Sequence, residues 1–255
     1  MSRRQIELMK LGFLNPYMGV GVIASQGAAP VVPSSLLTGL LAYWKLDEAS
    51  GNRLDSSGNN YTLAQTGTVG QEAGIVGTAA LFDGNVGNCL SLNSVNFSFE
   101  TGDFLFSFWV YLHSDVSCAL ISKQNGGLSK REYFIDYNAT SKRFQFVLRT
   151  TVSGTTTLIA STFGAPAMDT WHHIIAWYDS VGQKAYIRIN DVAENNAAHV
   201  NMATNDAPFT VGTHADLSSS PINGRIDELG VWRRLLTPTE KTTLYSGGTG
   251  KTHPF

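Results

Sequence analysis

The chain has 255 residues, with 18 Lys and Arg against 20 Asp and Glu, for a formal net charge of -2. That balance excludes a nucleic-acid binder working by phosphate neutralisation, and 43% hydrophobic residues exclude a disordered chain. Only 15% of residues are charged, while 25 are Gly and 11% aromatic, a composition of β-structure with many turns.

Residues 1–35 differ from the rest. Met1-Ser2-Arg3-Arg4 starts like a signal peptide, but Glu7, Lys10 and Asn15-Pro16 break the pattern. Ile6, Met9 and Phe13 fall on one face of a short helix. From Gly19 to Ser35 the chain is small, uncharged and marked by Pro and Gly, as in an extended arm. No apolar run is long enough to span a membrane. The sequons at Asn60, Asn96 and Asn138 carry meaning only on a secretory route.

From residue 36 to 255 a single β domain is expected. Strand-like runs cover Leu41–Leu46, Ala79–Phe82, Cys89–Leu92, Phe104–Leu112, Ala119–Ser122, Tyr133–Tyr137, Phe144–Arg149, Thr155–Ala160, His172–Tyr178, Lys184–Ile189, Phe209–Gly212 and Gly224–Trp232. Turn residues separate them, among them Ser56-Ser57-Gly58-Asn59 and Asp83-Gly84-Asn85. Many short strands at even spacing predict an antiparallel two-sheet sandwich or jelly roll. Phe104–Leu112 is apolar on both faces, as a central strand covered on both sides would be. Near the end, Thr237-Pro238-Thr239-Glu240 reads as a capping box with Pro at the first helical position, and Ser246-Gly247-Gly248 as a helix stop.

Most chemical motifs fail on inspection. Gly247-Gly248-Thr249-Gly250-Lys251-Thr252 lacks the first Gly of a phosphate loop and follows a helix instead of a strand. His172 and His173 are neighbours in a strand, so they face opposite ways and cannot chelate one ion together. There is no nucleophile elbow, and no strand carries the carboxylate cluster of a β-sandwich glycosidase. Cys89 and Cys118 read as buried thiols, with a single disulfide left open. Acids gather at turns and strand ends: Asp47-Glu48, Asp55, Asp83 and Asp227-Glu228. They read as turn caps or as oxygen ligands for calcium. Trp109, Tyr111, Trp177, Tyr178 and Tyr186 are rings available for stacking on sugars, although most rings in a sandwich are core.

Several segments together resemble laminin-G-like, concanavalin A-like jelly-roll domains. They are Leu41–Gly51 with Asp55–Asn59, then Ala80-Leu81-Phe82-Asp83-Gly84, then Phe106–Val110. Trp171-His172-His173 with Tyr186–Asp191 follows, and then Gly224–Leu229 with Val231, Trp232, Arg234, Leu236, Thr237 and Glu240. The order holds over residues 36–248; Asn190-Asp191 stands where the family favours Asn-Gly. The resemblance implies two packed antiparallel sheets and a non-catalytic binding role toward glycans or proteins. It also implies Ca²⁺ near the opening and last strands, which makes Asp47, Asp55 and Asp227 the metal candidates, with Asp83 behind them.

The expectation is therefore a structural or attachment protein, not an enzyme. The arm would anchor the domain to other subunits of a larger assembly, as in a bacteriophage virion, where the protein would be a homo-oligomer or assembly-bound. The alternative is a secreted or cell-surface lectin-like protein that binds carbohydrate. A glycoside hydrolase ranks last.

Overall fold

A computed structural model describes residues 34–124, 131–151, 154–214 and 220–255. The expected arm lies outside these described residues, apart from Ser34 and Ser35. The described strands are β1 (Leu40–Trp44), β2 (Ala64–Thr66), β3 (Gly70–Ala73), β4 (Thr78–Asp83), β5 (Cys89–Leu92), β6 (Phe104–Leu112), β7 (Cys118–Gln124) and β8 (Arg131–Asn138). They continue with β9 (Arg143–Arg149), β10 (Thr155–Ile159), β11 (Trp171–Asp179), β12 (Lys184–Ile189), β13 (Asn195–Ala198), β14 (Phe209–Val211) and β15 (Asn223–Trp232).

All twelve expected strands are present; Cys89–Leu92, Phe104–Leu112 and Lys184–Ile189 keep both ends, and the other ends move by at most two residues. Three more, β2, β3 and β13, were not expected. An eight-stranded sheet runs β13-β12-β11-β6-β15-β4-β3, with β1 also paired to β15. A seven-stranded sheet runs β10-β9-β8-β7-β14-β5-β2. Neighbouring strands in both sheets are antiparallel. β6 lies between β11 and β15, which explains why both its faces are apolar.

Strand alternation builds the core between the sheets. Phe104, Phe106, Phe108, Val110 and Leu112 of β6 face Tyr133, Ile135, Phe144, Phe146 and Leu148 of β8 and β9. Phe209 stacks on Trp44 at 5.8 Å and meets Phe97 at 4.9 Å. Gly212 follows Phe209 with φ +93°, and a Cβ there would run into the Phe82 ring, so only glycine lets the backbone pass.

The outer face of the larger sheet carries a second, smaller core of Leu105, Ile175, Trp177 and Trp232 against Leu36, Leu236 and Leu244. The expected helix, α1 (Pro238–Tyr245), lies here. The Thr237 hydroxyl accepts the Glu240 N–H, and the Glu240 carboxylate accepts the Thr237 N–H, completing the capping box. A helix this short is marginal alone. Burial of Leu244 holds it, as does the Lys241 ammonium 3.6 Å above the Trp177 ring. Cys89 and Cys118 are free and buried, and burial pushes the Cys118 thiol up to about 12.

Candidate functional site

The structure brings Asp47 and Asp227 to one loop, residues 74–78, and places Asp55 and Asp83 on turns of their own. Asp47 Oδ1 accepts the Thr78 N–H at 2.9 Å and the Thr78 hydroxyl at 3.0 Å. Asp227 Oδ2 accepts the N–H groups of Ile75 and Val76 at 2.8 and 3.1 Å, and its Oδ1 accepts that of Glu228 at 2.9 Å. Asp55 closes a turn by accepting the N–H groups of Tyr43, Ser57 and Tyr61. Among the described residues no three His, Cys, Asp or Glu side chains gather to hold a metal ion. A calcium cage takes six to eight oxygens. Most oxygens of these acids are already committed to main-chain donors, so the residues do not fit that role. Chelator is accordingly expected to leave the melting temperature unchanged. A fall in melting temperature restored by added Ca²⁺ would show a metal that these contacts do not explain.

Asp227 and Glu228 sit in a bulge of β15 and are only 0% and 3% exposed. Burial pushes the Asp227 carboxyl up to about 8 and the Glu228 carboxyl up to about 7. The Tyr43 hydroxyl lies against Glu228 and, at 2.9 Å, the Lys251 carbonyl. The pair is therefore shut away from any polymer, which rules it out as the two carboxylates of a glycosidase.

Open surface with converging polar groups lies at Asp83. A cavity of ≈ 360 Å³ is lined by Asp83, Ser114, Val116, Ser117, Ser220 and Asn223, among others. Three segments form it: the end of β4, the link from β6 to β7, and the start of β15. The Asn85 N–H, together with the Asn88 and Asn85 side-chain amides, holds the Asp83 carboxyl below its usual range, so it is ionised. Around it stand three serine hydroxyls and the Asn223 amide, with exposed Val116 as an apolar wall. The cavity thus offers hydrogen-bond acceptors, donors and an apolar face, and no cation lines it.

Register places this cavity at the margin of the larger sheet's outer face. Asn223 pairs with Asp83, and Arg225 pairs with both Leu81 and Tyr111. Tyr111 pairs with Trp171. Asp83 and Leu81 share one face, as do Asn223 and Arg225. The Arg225 guanidinium lies 3.8 Å from the centre of the Tyr111 ring and 5.3 Å from that of Trp171. Of the rings named as available, Trp109, Trp177 and Tyr178 are buried, and Tyr186 is stacked on Trp177 at 4.8 Å. Tyr111 and Trp171 remain partly exposed. His172 and His173 do face opposite ways: His172 packs on Phe144, and His173 stacks on Trp109 at 4.8 Å.

A laminin G family described as the concanavalin A-like lectin/glucanases superfamily matches residues 83–240. No curated protein sequence matches the chain. Among solved structures, the binding domain of a paraclostridial mosquitocidal protein aligns with TM-score 0.65 at 16% identity, over 82% of this chain and 52% of that one. The receptor-binding domain of a botulinum neurotoxin C/D mosaic gives TM-score 0.64 at 13% identity, over 83% and 52%. Domain 4 of an extracellular arabinanase from Geobacillus stearothermophilus, solved with arabinotriose, gives TM-score 0.59 at 17% identity, over 83% and 98%. The chain spans about half the length of the two toxin domains, and at these identities the likeness is one of fold. With the family match covering more than half the sequence and the sandwich in place, this chain belongs to the concanavalin A-like lectin/glucanase superfamily.

Proposed function

We propose that the chain is a non-catalytic binding module that takes a saccharide in the Asp83 cavity and is held through residues 1–35 in a larger assembly such as a virion. The cavity carries the binding half of this reading. An ionised carboxylate, serine hydroxyls and an amide around an apolar wall match the alternating hydroxyl and C–H surface of a sugar. Two of the solved structures of like fold are binding domains by their own descriptions, and a third, a domain of an arabinanase, was solved with a trisaccharide. The small, uncharged run from Gly19 to Ser35 supports the anchoring half. A secreted or cell-surface lectin would use the same cavity without the anchor.

A glycan array probed with the full chain tests the binding half. We expect saccharide hits that weaken about tenfold or more in Asp83→Asn, a loss of about 1.4 kcal/mol. An array blank at every position would end the saccharide reading. Deleting residues 1–35 separates the two settings, because under the anchoring reading the shortened chain no longer enters its assembly.

A further inference from the structure

Asp83 and Asn223 of the cavity are paired on the outer face of the larger sheet. One step along the same face, two residues further into β4 and β15, lies the row Leu81–Arg225–Tyr111–Trp171. At about 3.3–3.4 Å per strand residue and roughly 4.8 Å between strands, Tyr111 lies about 8 Å and Trp171 about 12 Å from Asn223, so more than one sugar unit is needed to span both rings. Tyr111 and Trp171 meet edge to face at 5.4 Å and are both partly exposed. Arg225 lies under them with its side chain only 10% exposed. Its Nη1 donates to the Ala73 carbonyl at 2.7 Å and meets the Glu72 carboxylate at 3.4 Å, which balances its charge. Its Nε finds no partner. That donor is shut off from solvent beneath the rings, so the surface a ligand can reach here is made by the rings and the exposed Glu72 carboxylate.

We propose that the ligand is a neutral oligosaccharide whose end unit occupies the Asp83 cavity and whose following units run over Tyr111 and Trp171 above Arg225. This rests on the saccharide reading of the cavity. The ionised Asp83 disfavours an acidic end unit, and the Arg225–Glu72 pair leaves no net charge on the row to attract one. The exposed parts of the two rings contact sugar C–H groups, while the exposed Glu72 carboxylate meets hydroxyls.

The test is calorimetric titration of the full chain with maltotetraose, cellotetraose, β-1,4-galactotetraose and α-1,5-arabinotetraose, each set against its own monosaccharide. At least one tetrasaccharide should bind about tenfold more tightly than its monosaccharide. Trp171→Ala should bring that ratio close to one, and Asp83→Asn should weaken both members of the pair. The wild-type ratio needs no variant, so the inference stays testable even if Trp171→Ala misfolds. Equal affinity for tetrasaccharide and monosaccharide overturns the extended row and leaves the cavity standing. So does a ratio that survives in a folded Trp171→Ala. Failure of every one of these sugars to bind, with a blank array, overturns the saccharide reading itself.

Discussion

Glu132→Ala is expected to destabilise the domain by about 3–5 kcal/mol, a large share of the roughly 5–15 kcal/mol that holds a typical domain together. Glu132 and Lys123 are 0% and 1% exposed, with 3.6 Å between Nζ and Oε2. The Lys123 ammonium donates to the carbonyls of Asn205 and Ala207 at 2.8 and 2.7 Å. Glu132 accepts the Ser98 hydroxyl at 2.9 Å and the Phe99 N–H at 3.2 Å. The pair thus ties β7 and β8 to the segments leading into β6 and β14. At pH 8, where the carboxyl is ionised, removing it leaves an ammonium buried without its counter-charge, and at this chain length the melting temperature should fall by roughly 6–20 °C. Replacing both partners, as in Lys123→Met with Glu132→Leu, should be milder than Glu132→Ala alone, because no unpaired charge remains. Urea melts of the three proteins decide it; a Glu132→Ala loss below about 1 kcal/mol would place this pair with weak surface bridges.

The same carboxylate sets a pH dependence. Burial pushes Glu132 up to about 7 although Lys123 pulls it down. Between about pH 4.5 and 7 the folded state therefore holds a proton that the unfolded chain has released. Stability from this group is fullest below that window and is lost as pH rises through it. Burial likewise pushes Asp136 up to about 7, with the same sign. In Glu132→Gln the fall between pH 5 and 7.5 should be shallower than in the wild type.

What could be read beforehand follows burial. β6, β9 and β11 announce themselves because their residues are apolar where a packed face demands it. The three strands missed are β13 and β3, at the two margins of the larger sheet, and β2, at a margin of the smaller one. Asn195-Asn196-Ala197-Ala198 and Gly70-Gln71-Glu72-Ala73 bury little and pair on one side only, so no apolar alternation is imposed on them. The helix was legible because capping is local: Thr237 and Glu240 are three residues apart. The site was less so. Asp83 stood out as a turn acid, but Ser117, Ser220 and Asn223 are ordinary turn residues until three loops meet. Arg225 becomes a stacking partner only through its register with Tyr111. Asp47 and Asp227 did come together, but on a main-chain loop whose donors no spacing rule reveals.

Asp227→Ala should be the second large loss, about 3–5 kcal/mol by urea melt, and it should be the same with and without chelator. Asp227 is fully buried and accepts three main-chain N–H groups, those of Ile75, Val76 and Glu228. Truncation leaves all three without an acceptor, and each buried orphan costs about 1–3 kcal/mol before water or backbone movement relieves part of it. Gly74 shows how closely the loop is drawn in: a Cβ there would stand 2.5 Å from Asp227 Oδ2. Asp227→Asn is the sharper probe. An amide has one acceptor oxygen, so it can serve either Ile75 and Val76 or Glu228, while its NH₂ is set against a donor on the other side. It should therefore lose stability despite matching shape, by about 1–3 kcal/mol. A metal ligand would behave otherwise: chelator would lower the wild-type melting temperature and leave the already metal-free Asp227→Ala unmoved. If the wild type does fall in chelator to the level of Asp227→Ala, the loop is clamped by an ion and not by this carboxylate's own hydrogen bonds.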